Sequence, residues 1–476
     1  MMGEQRQGGR GASVRTLGAA LPRDHLLRRI DRVLDMGELR DALACHYSAR
    51  GRPSIDPELL IRMALIGRIY AIPSERRLCE EVRYNLAYRW FCRLPLGAAV
   101  PHHSTFSKNR HGRFRSADVF RLLFENTVRR CVAAGLVGAK DAAIDASFIA
   151  ADASWQRKLR DGDLDRAAMS RPLREWLADE AHKLPDSGPR RGTPAELSRT
   201  DPAAAWSART ARGRFGYAFN LLMDAPSGAA VGVAATPARH ASEVDAGRDM
   251  LARAAERFGY RPKRVTADTA YGSAAFLAFV HEHGATPHIP VLDRTEQTKG
   301  KLSRGAFTFD RDHDRYICPT GKPLAHRSFR KRIGMHVYQA KPEDCCLCPI
   351  QKRCTDSRHR IVLRMADEDT RDLVRAEMAT GLYQRSMRLR RGIERLFADA
   401  KARRGMARLR LRGLRGAEEE FLIGAAVLNL LLLARPPHQR TRKGRTDVVP
   451  LPPSVTRRTR LPAATPARHA AVSLNS

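Results

Sequence analysis

The chain is poor in the residues that build disulfide scaffolds and membrane spans. In 476 residues it has nine cysteines and four tryptophans, and aromatic residues make up only 6%. No apolar run opens the first twenty residues, so no signal peptide is expected. The longest run dominated by apolar residues, Phe421 to Ala434, covers 14 positions, too short for a bilayer and expected to be a buried helix. The cysteines follow no regular framework, which argues against a secreted scaffold and points to the cytoplasm. There is no P-loop, no GxSxG elbow, no dinucleotide fingerprint and no internal repeat. Acidic residues are also scarce: 51 against 85 basic ones, a formal charge of +34. Such a surplus suits a polyanionic partner, and duplex DNA, with about one charge per 1.7 Å of axis, is the commonest.

What is present reads as several regions. Residues 1–20 are expected to be disordered and 21–135 helical. Asp56 and Pro57 make a cap and first-turn pair for a helix whose apolar face carries Leu59, Met63, Ile66 and Tyr70. A second helix follows Pro73 and Ser74, burying Leu78, Val82 and Leu86 at a spacing of four, with Trp90 and Phe91 near its end. In PHHSTFSKNRHGRFR, residues 101–115, Thr105, Ser107, Lys108 and Arg110 stand where a DNA-reading helix presents side chains; a solvated helix start accounts for them equally well. From 141 the pattern changes: AAIDASFIAAD alternates like a strand, 152–212 is a polar excursion, and two strands meet at the turn residues Pro226, Ser227 and Gly228. A helix over 243–258, a short strand ending in Asp268 and a strand over 286–292 complete an α/β pattern. Residues 294–382 interrupt it, 383–435 resume it, and 436–476, rich in Pro and Arg, are expected to be a disordered basic tail.

Three acids stand out. Asp145 sits in an otherwise apolar strand, Asp268 at the end of another, and Glu394 in RRGIERLFADAKARRGMARLRLRGLR (390–415), which holds ten Lys or Arg and two acids. Each has an ordinary reading: a strand-end cap, an N-cap and a partner of Arg390. Taken together, beside so much positive charge, they read as hard oxygen ligands for Mg²⁺, or Mn²⁺ in its place, in a two-metal phosphodiester site. Asp141 and Asp152 flank Asp145, the first read as preceding the strand and the second as lying at its far end. The run Glu418, Glu419, Glu420 reads as a solvated face.

The segments GRPSIDPELLIRMALIGRIYAIPSERRL, HSTFSKNR, IDASFIAADAS, FGYAFNLLMDA, VTADTAYGS and RGIERLFADAKARRGMARLRLRGL resemble the DDE transposases of bacterial insertion sequences, over about 21–435. The resemblance implies an RNase H-like catalytic core, an N-terminal all-α DNA-binding domain and a small Cys-rich insertion before the final Glu. It implies cleavage at the element's ends and strand transfer into target DNA, a homodimer in the DNA complex and a nucleoid-associated location. The catalytic positions fall on Asp145, Asp268 and Glu394. The family's Tyr-Arg-Glu-Lys signature finds Arg390, Glu394 and Lys401, but its Tyr position is Met387, with Tyr383 one turn earlier. A decayed transposase acting as a repressor and an RNase H-like nuclease without strand transfer are the rival readings.

Five cysteines cluster between 318 and 354. Cys345 and Cys348, with Cys318 upstream and Cys354 downstream, offer four thiolates for a structural Zn²⁺ in a segment with few apolar residues; Cys346 is the alternative to Cys345. In HEHG (281–284) the two His point to different sides of a helix, which reads as an ordinary helix end.

Overall fold

The computed structural model describes residues 2–3, 14–48, 50–51, 53–154, 156, 158–160, 196–207, 213–238, 240–291, 300–365 and 368–436. The expected tail, 436–476, lies outside them but for its first residue. The N-terminal region is built from helices α1 (Val14–Ala20), α2 (Leu26–Val33), α3 (Gly37–Ala44), α4 (Pro57–Ile69), α5 (Glu75–Tyr84), α6 (Leu86–Phe91), α7 (Ser104–Asn109) and α8 (Val119–Ala133). α1 corrects the expectation of disorder to residue 20: Leu17 is buried, and Gly18 lies close enough to Trp90 of α6 that an added methyl would meet the indole. α4 starts as expected, with Asp56 accepting from the Glu58 amide, and is buried nearly all round, Tyr70 closing it half-exposed. The helix expected to run from 75 through Trp90 is two. Asn85 breaks it, its side chain accepting from the Ala87 and Tyr88 amides to cap α6, and this turns Leu86 outward, 45% exposed.

The central sheet runs β6 (Ala229–Pro237), β5 (Arg214–Asp224), β1 (Asp141–Ala150), β7 (Arg264–Thr266) and β8 (Thr286–His288), with β4 (Ala205–Ser207) extending the outer edge of β5, while β2 (Lys158–Arg160) and β3 (Glu196–Ser198) pair only with each other among the described residues. β6–β5–β1 pair antiparallel, and β1–β7–β8 pair parallel. Three antiparallel strands followed by two parallel ones in this order are the RNase H-like arrangement. β5 is buried at ten successive positions, which is why its sequence is nearly continuously apolar. Asp141, read as preceding the strand, is its first residue; it is buried, and Arg264 across the parallel pair donates to both its carboxylate oxygens.

Helices α9 (His240–Phe258), α10 (Ala274–Glu282), α13 (Glu368–Met378), α14 (Gly381–Arg403) and α15 (Gly413–Leu433) pack around this sheet. α15 carries the run expected to be a buried helix and is buried on nearly every side, because β6 covers one face and α8 the other. Asn429 makes that burial tolerable: its amide exchanges hydrogen bonds with the Ala230 backbone and donates to Thr127 of α8. The N-terminal helices and the sheet therefore share one hydrophobic core.

Glu418, Glu419 and Glu420, read as a solvated face, form the polar seam of that shared core. Glu420 is buried, pairs with Arg68 of α4 at 2.7 Å and accepts from the Arg410 and Leu411 amides. Glu419 accepts from Arg115 and faces Arg110. Glu418 pairs with Arg121 of α8 and accepts from the Ala235 amide. Three consecutive acids on a helix between two packed layers point to different partners.

Within 294–382 a second sheet forms, β9 (Thr308–Asp310), β10 (Arg315–Ile317), β11 (Pro323–Arg330), β12 (Met335–Ala340) and β13 (Ile361–Met365), all antiparallel. Short helices α11 (Pro342–Cys346) and α12 (Gln351–Cys354) cover a small core of Phe307, Tyr316, Leu324, Tyr338 and Val362. α13 falls within the same range, yet its Val374 belongs to the central core. Among the described residues no helix is long and apolar enough to cross a membrane.

Candidate active site

The parallel pairing of β1 with β7 matches Ala143 to Thr266; continued by two residues, the register sets Asp145 beside Asp268. β7 stops at Thr266, two residues short of the expected end, so Asp268 lies just past the strand. There its carboxylate accepts from the Ala270 amide and caps the turn Thr269–Tyr271. α14 packs across β1 and β7 and supplies Glu394, whose side chain is 58% exposed. Ends of parallel strands are where α/β sites gather, since the chain must turn away there and leaves room.

The electrostatics couple Asp145 to the other two acids. Burial pushes the Asp145 carboxyl up to about 6; the Ala146 amide and Arg390 pull it back, and the charges of Asp268 and Glu394 add to the rise. Arg390 Nη1 donates to Asp145 Oδ2 at 3.0 Å, and Nη2 lies 3.6 Å from Glu394 Oε1. One guanidinium thus holds the acid of the strand to the acid of the helix. The ordinary roles named for Asp268 and Glu394, cap and ion pair, are filled in this structure, and Asp145 feels the charge of both other acids. Among the described residues no group of three or more His, Cys, Asp or Glu is arranged to hold a metal ion as it stands. The donor set nevertheless suits a hard divalent cation: carboxylates, hard oxygen donors, with the Asp145 carboxyl largely removed from water and one arginine between it and Glu394.

Around this point the face of α14 is basic. Gln384, Arg388, Arg391 and Arg395 are exposed at helical spacing, and Lys401, half-buried two turns beyond Glu394, has its ammonium form disfavoured by burial. Tyr383, the aromatic one turn before Met387, is buried against the His288 ring, centroids 5.5 Å apart. A serine that the sequence did not single out, Ser386, is buried and donates to Asp141, tying α14 to the head of β1. Asp152 is fixed outside the site by Arg408 and Arg412.

In α7, Ser107 and Lys108 are exposed and Thr105 is half-buried. Arg110 departs from the expectation of a DNA contact: its guanidinium turns inward to Glu75 at 2.7 Å and to Glu419. In the second sheet, Cys318, Cys345, Cys348 and Cys354 line one cavity of about 20 Å³. The Cys318 sulfur accepts from the Lys322 amide at 3.2 Å, and Thr320 Oγ1 lies 3.1 Å from Cys318 Sγ and 3.9 Å from Cys348 Sγ. Burial, and beyond it the neighbouring sulfurs, push the Cys354 thiol up. Cys346 is exposed and does not line the cavity. His283, at the end of α10, accompanies its own Phe279 carbonyl at 2.8 Å, an ordinary helix end.

A family model described as transposase DDE domain matches residues 191–430, just over half of the chain, including Asp268 and Glu394. The chain belongs to the DDE transposase family. A second model, transposase domain (DUF772), matches 15–112 of this transposase and takes in α1 to α7. The cryo-EM structure of the piggyBac transposase synaptic complex with hairpin DNA is 9% identical, covering 85% of this chain and 73% of that one at a TM-score of 0.33. A score that low carries no structural argument. No curated protein matches the transposase.

Proposed function

We propose that this transposase cuts DNA at the ends of its element and joins the freed 3′-hydroxyls to target DNA, with Asp145, Asp268 and Glu394 as the catalytic triad. The observation that carries this is geometric: the β1–β7 register, continued, sets Asp145 beside Asp268, and Arg390 links Asp145 to Glu394, three acids spaced 123 and 126 residues apart along the chain. Mg²⁺, or Mn²⁺, held by the three carboxylates would supply an activated water or hydroxyl and charge for the leaving oxygen. Arg390, released from Asp145, and Lys401 orient the phosphate beside the cut. Arg388, Arg391 and Arg395 hold the backbone along α14, while Thr105, Ser107 and Lys108 contact the element end. Each chain has one triad and an element has two ends, so a homodimer on DNA belongs to the same reading, as does a cytoplasmic, nucleoid-associated location.

Glu394→Gln keeps the side-chain shape and removes its charge. Nicking of a labelled end in Mg²⁺ should then fall by orders of magnitude, while a gel-shift in EDTA shows end binding intact. Robust nicking would leave Glu394 as no more than the partner of Arg390.

The four thiols around one small cavity support a structural Zn²⁺ at Cys318, Cys345, Cys348 and Cys354. Tetrahedral thiolate ligation would anchor a sheet whose own core is small, and the Lys322 amide already points at a sulfur. Purified transposase should contain one zinc per chain, and Cys348→Ser should lose it and melt lower. Elemental analysis without zinc would end this assignment.

A further inference from the structure

The DDE chemistry leaves one charged feature unused. From Arg315 to Pro342 the chain has no acid and seven Lys or Arg, and this stretch forms the β11–β12 hairpin. Its tip turns at Lys331–Ile333 and closes on Gly334 at φ +63°, where a side chain would be strained. Arg327, Arg330, Lys331 and Arg332 are all exposed, and none makes an ion pair or side-chain hydrogen bond among the described residues. Exposed with them is Phe329, at 43%.

Phe329 is the outer rung of a ladder of rings. It lies 4.7 Å from His336; His336 is 5.1 Å from His326, with a 3.0 Å contact between Nδ1 and Nε2; and His326 is 5.3 Å from Tyr338. Tyr338 is buried in the core of the second sheet and hydrogen-bonded to Asp314 at 2.6 Å. The outer ring is therefore backed by others down to a rigid base. A solvent-exposed aromatic so braced, on a hairpin with four exposed cations that have no ion-pair partner among the described residues, combines the two features that hold unpaired nucleotides: a π face for the base and charge for the backbone. Duplex DNA would use the charge and leave Phe329 idle.

We propose that the β11–β12 hairpin is a binding surface for single-stranded DNA, with a base stacked on Phe329 and the backbone tracked by Arg327, Arg330, Lys331 and Arg332. It rests on the protein's action on DNA and is independent of the triad, because binding is measured in EDTA, where no cleavage occurs.

The test uses the full chain and fluorescence anisotropy on a labelled mixed-sequence oligonucleotide, single-stranded or annealed as a blunt duplex, across a salt series. Phe329→Ala should weaken single-strand binding roughly 5- to 150-fold, Phe329→Trp should restore it, and duplex binding should stay within twofold of wild type. The combined Arg327, Arg330, Lys331 and Arg332→Ala variant should flatten the single-strand log–log salt slope by about 3. Its melting curve should match wild type, since these side chains are exposed and make no ion pair among the described residues. Equal single-strand affinity for Phe329→Ala and wild type overturns the proposal, whatever the charge variant does. An unchanged salt slope in the charge variant also overturns it.

Discussion

Arginine is used in opposite ways in two regions of this transposase. Along the seam between α15 and the N-terminal helices, Arg68, Arg110, Arg115 and Arg121 all end on the carboxylates of Glu418, Glu419 and Glu420. Along the β11–β12 hairpin, Arg327, Arg330 and Arg332 end on no carboxylate among the described residues. A formal charge of +34 does not say which is which. An arginine spent on a buried acid adds nothing to the field that a phosphate feels beyond its pair, whereas an unpaired exposed one contributes in full. Binding surfaces in a very basic protein are therefore found by subtracting the pairs.

The comparison breaks most visibly at Arg68. Arg68→Ala leaves Glu420 buried without its counter-charge and should cost about 3–5 kcal/mol in denaturant unfolding, with the DNA salt slope of the folded protein unchanged. A fall in that slope would show that the seam also touches DNA.

Glu368 tests the same use of arginine by pH. Its carboxylate is fully buried; burial alone would raise its proton affinity, but hydrogen bonding and charge from Arg304, with Arg371 and Arg375, hold it below the ordinary range. A depressed carboxyl contributes stability that is fully present above its ordinary value of 4.5 and is lost as pH falls through the depressed one. Glu368→Gln should be less stable by about 3 kcal/mol at pH 7, and thermal melts should show the gap closing below pH 4.5. A gap that stays constant down to pH 3 would mean that shape, not charge, holds α13 in place.

The smallest contrast is internal to α7 and its continuation. Arg110→Ala removes a partly buried charged hydrogen bond and should cost about 1.5–3 kcal/mol while leaving the DNA salt slope alone. Lys108→Ala should leave stability unchanged and flatten the duplex slope by about 0.9, one phosphate's share. If the two variants exchange these behaviours, the pairing of Arg110 does not hold in solution.

Much of the architecture is legible in local pattern. Asp56 and Pro57 announce α4, the turn at Pro226–Gly228 joins β5 to β6, and the apolar run from Phe421 becomes the buried part of α15. These succeed because caps, turns and apolar faces are decided by residues within a few positions of one another. The candidate acids are legible too: Asp145 as a costly residue in an apolar strand, Asp268 near the end of another, and Glu394 as one of two acids in a strongly basic helical stretch. What local pattern missed has a common cause. The break at Asn85 depended on a side chain competing for backbone amides that the apolar spacing ignores. Arg110 looked like a reading residue because Glu419, its second partner, is some three hundred positions away. The acid run at 418–420 looked solvated because its partners lie on other helices.

The sequence by itself determined the elements, their α/β order, the excess of positive charge and the identity of the carboxylates worth watching. Only the tertiary structure decided which acids meet. The parallel register of β1 and β7, continued by two residues, sets Asp145 beside Asp268, and Arg390 of α14, which lies across those strands, links Asp145 to Glu394. It also decided which arginines remain for DNA. Arg68 finds Glu420 across 352 residues, a pairing worth making only where packing has already removed water from both. The physical reason is the same in each case: the free energy of a charge is set by its surroundings after burial, and those surroundings are assembled from parts of the chain that no short window contains.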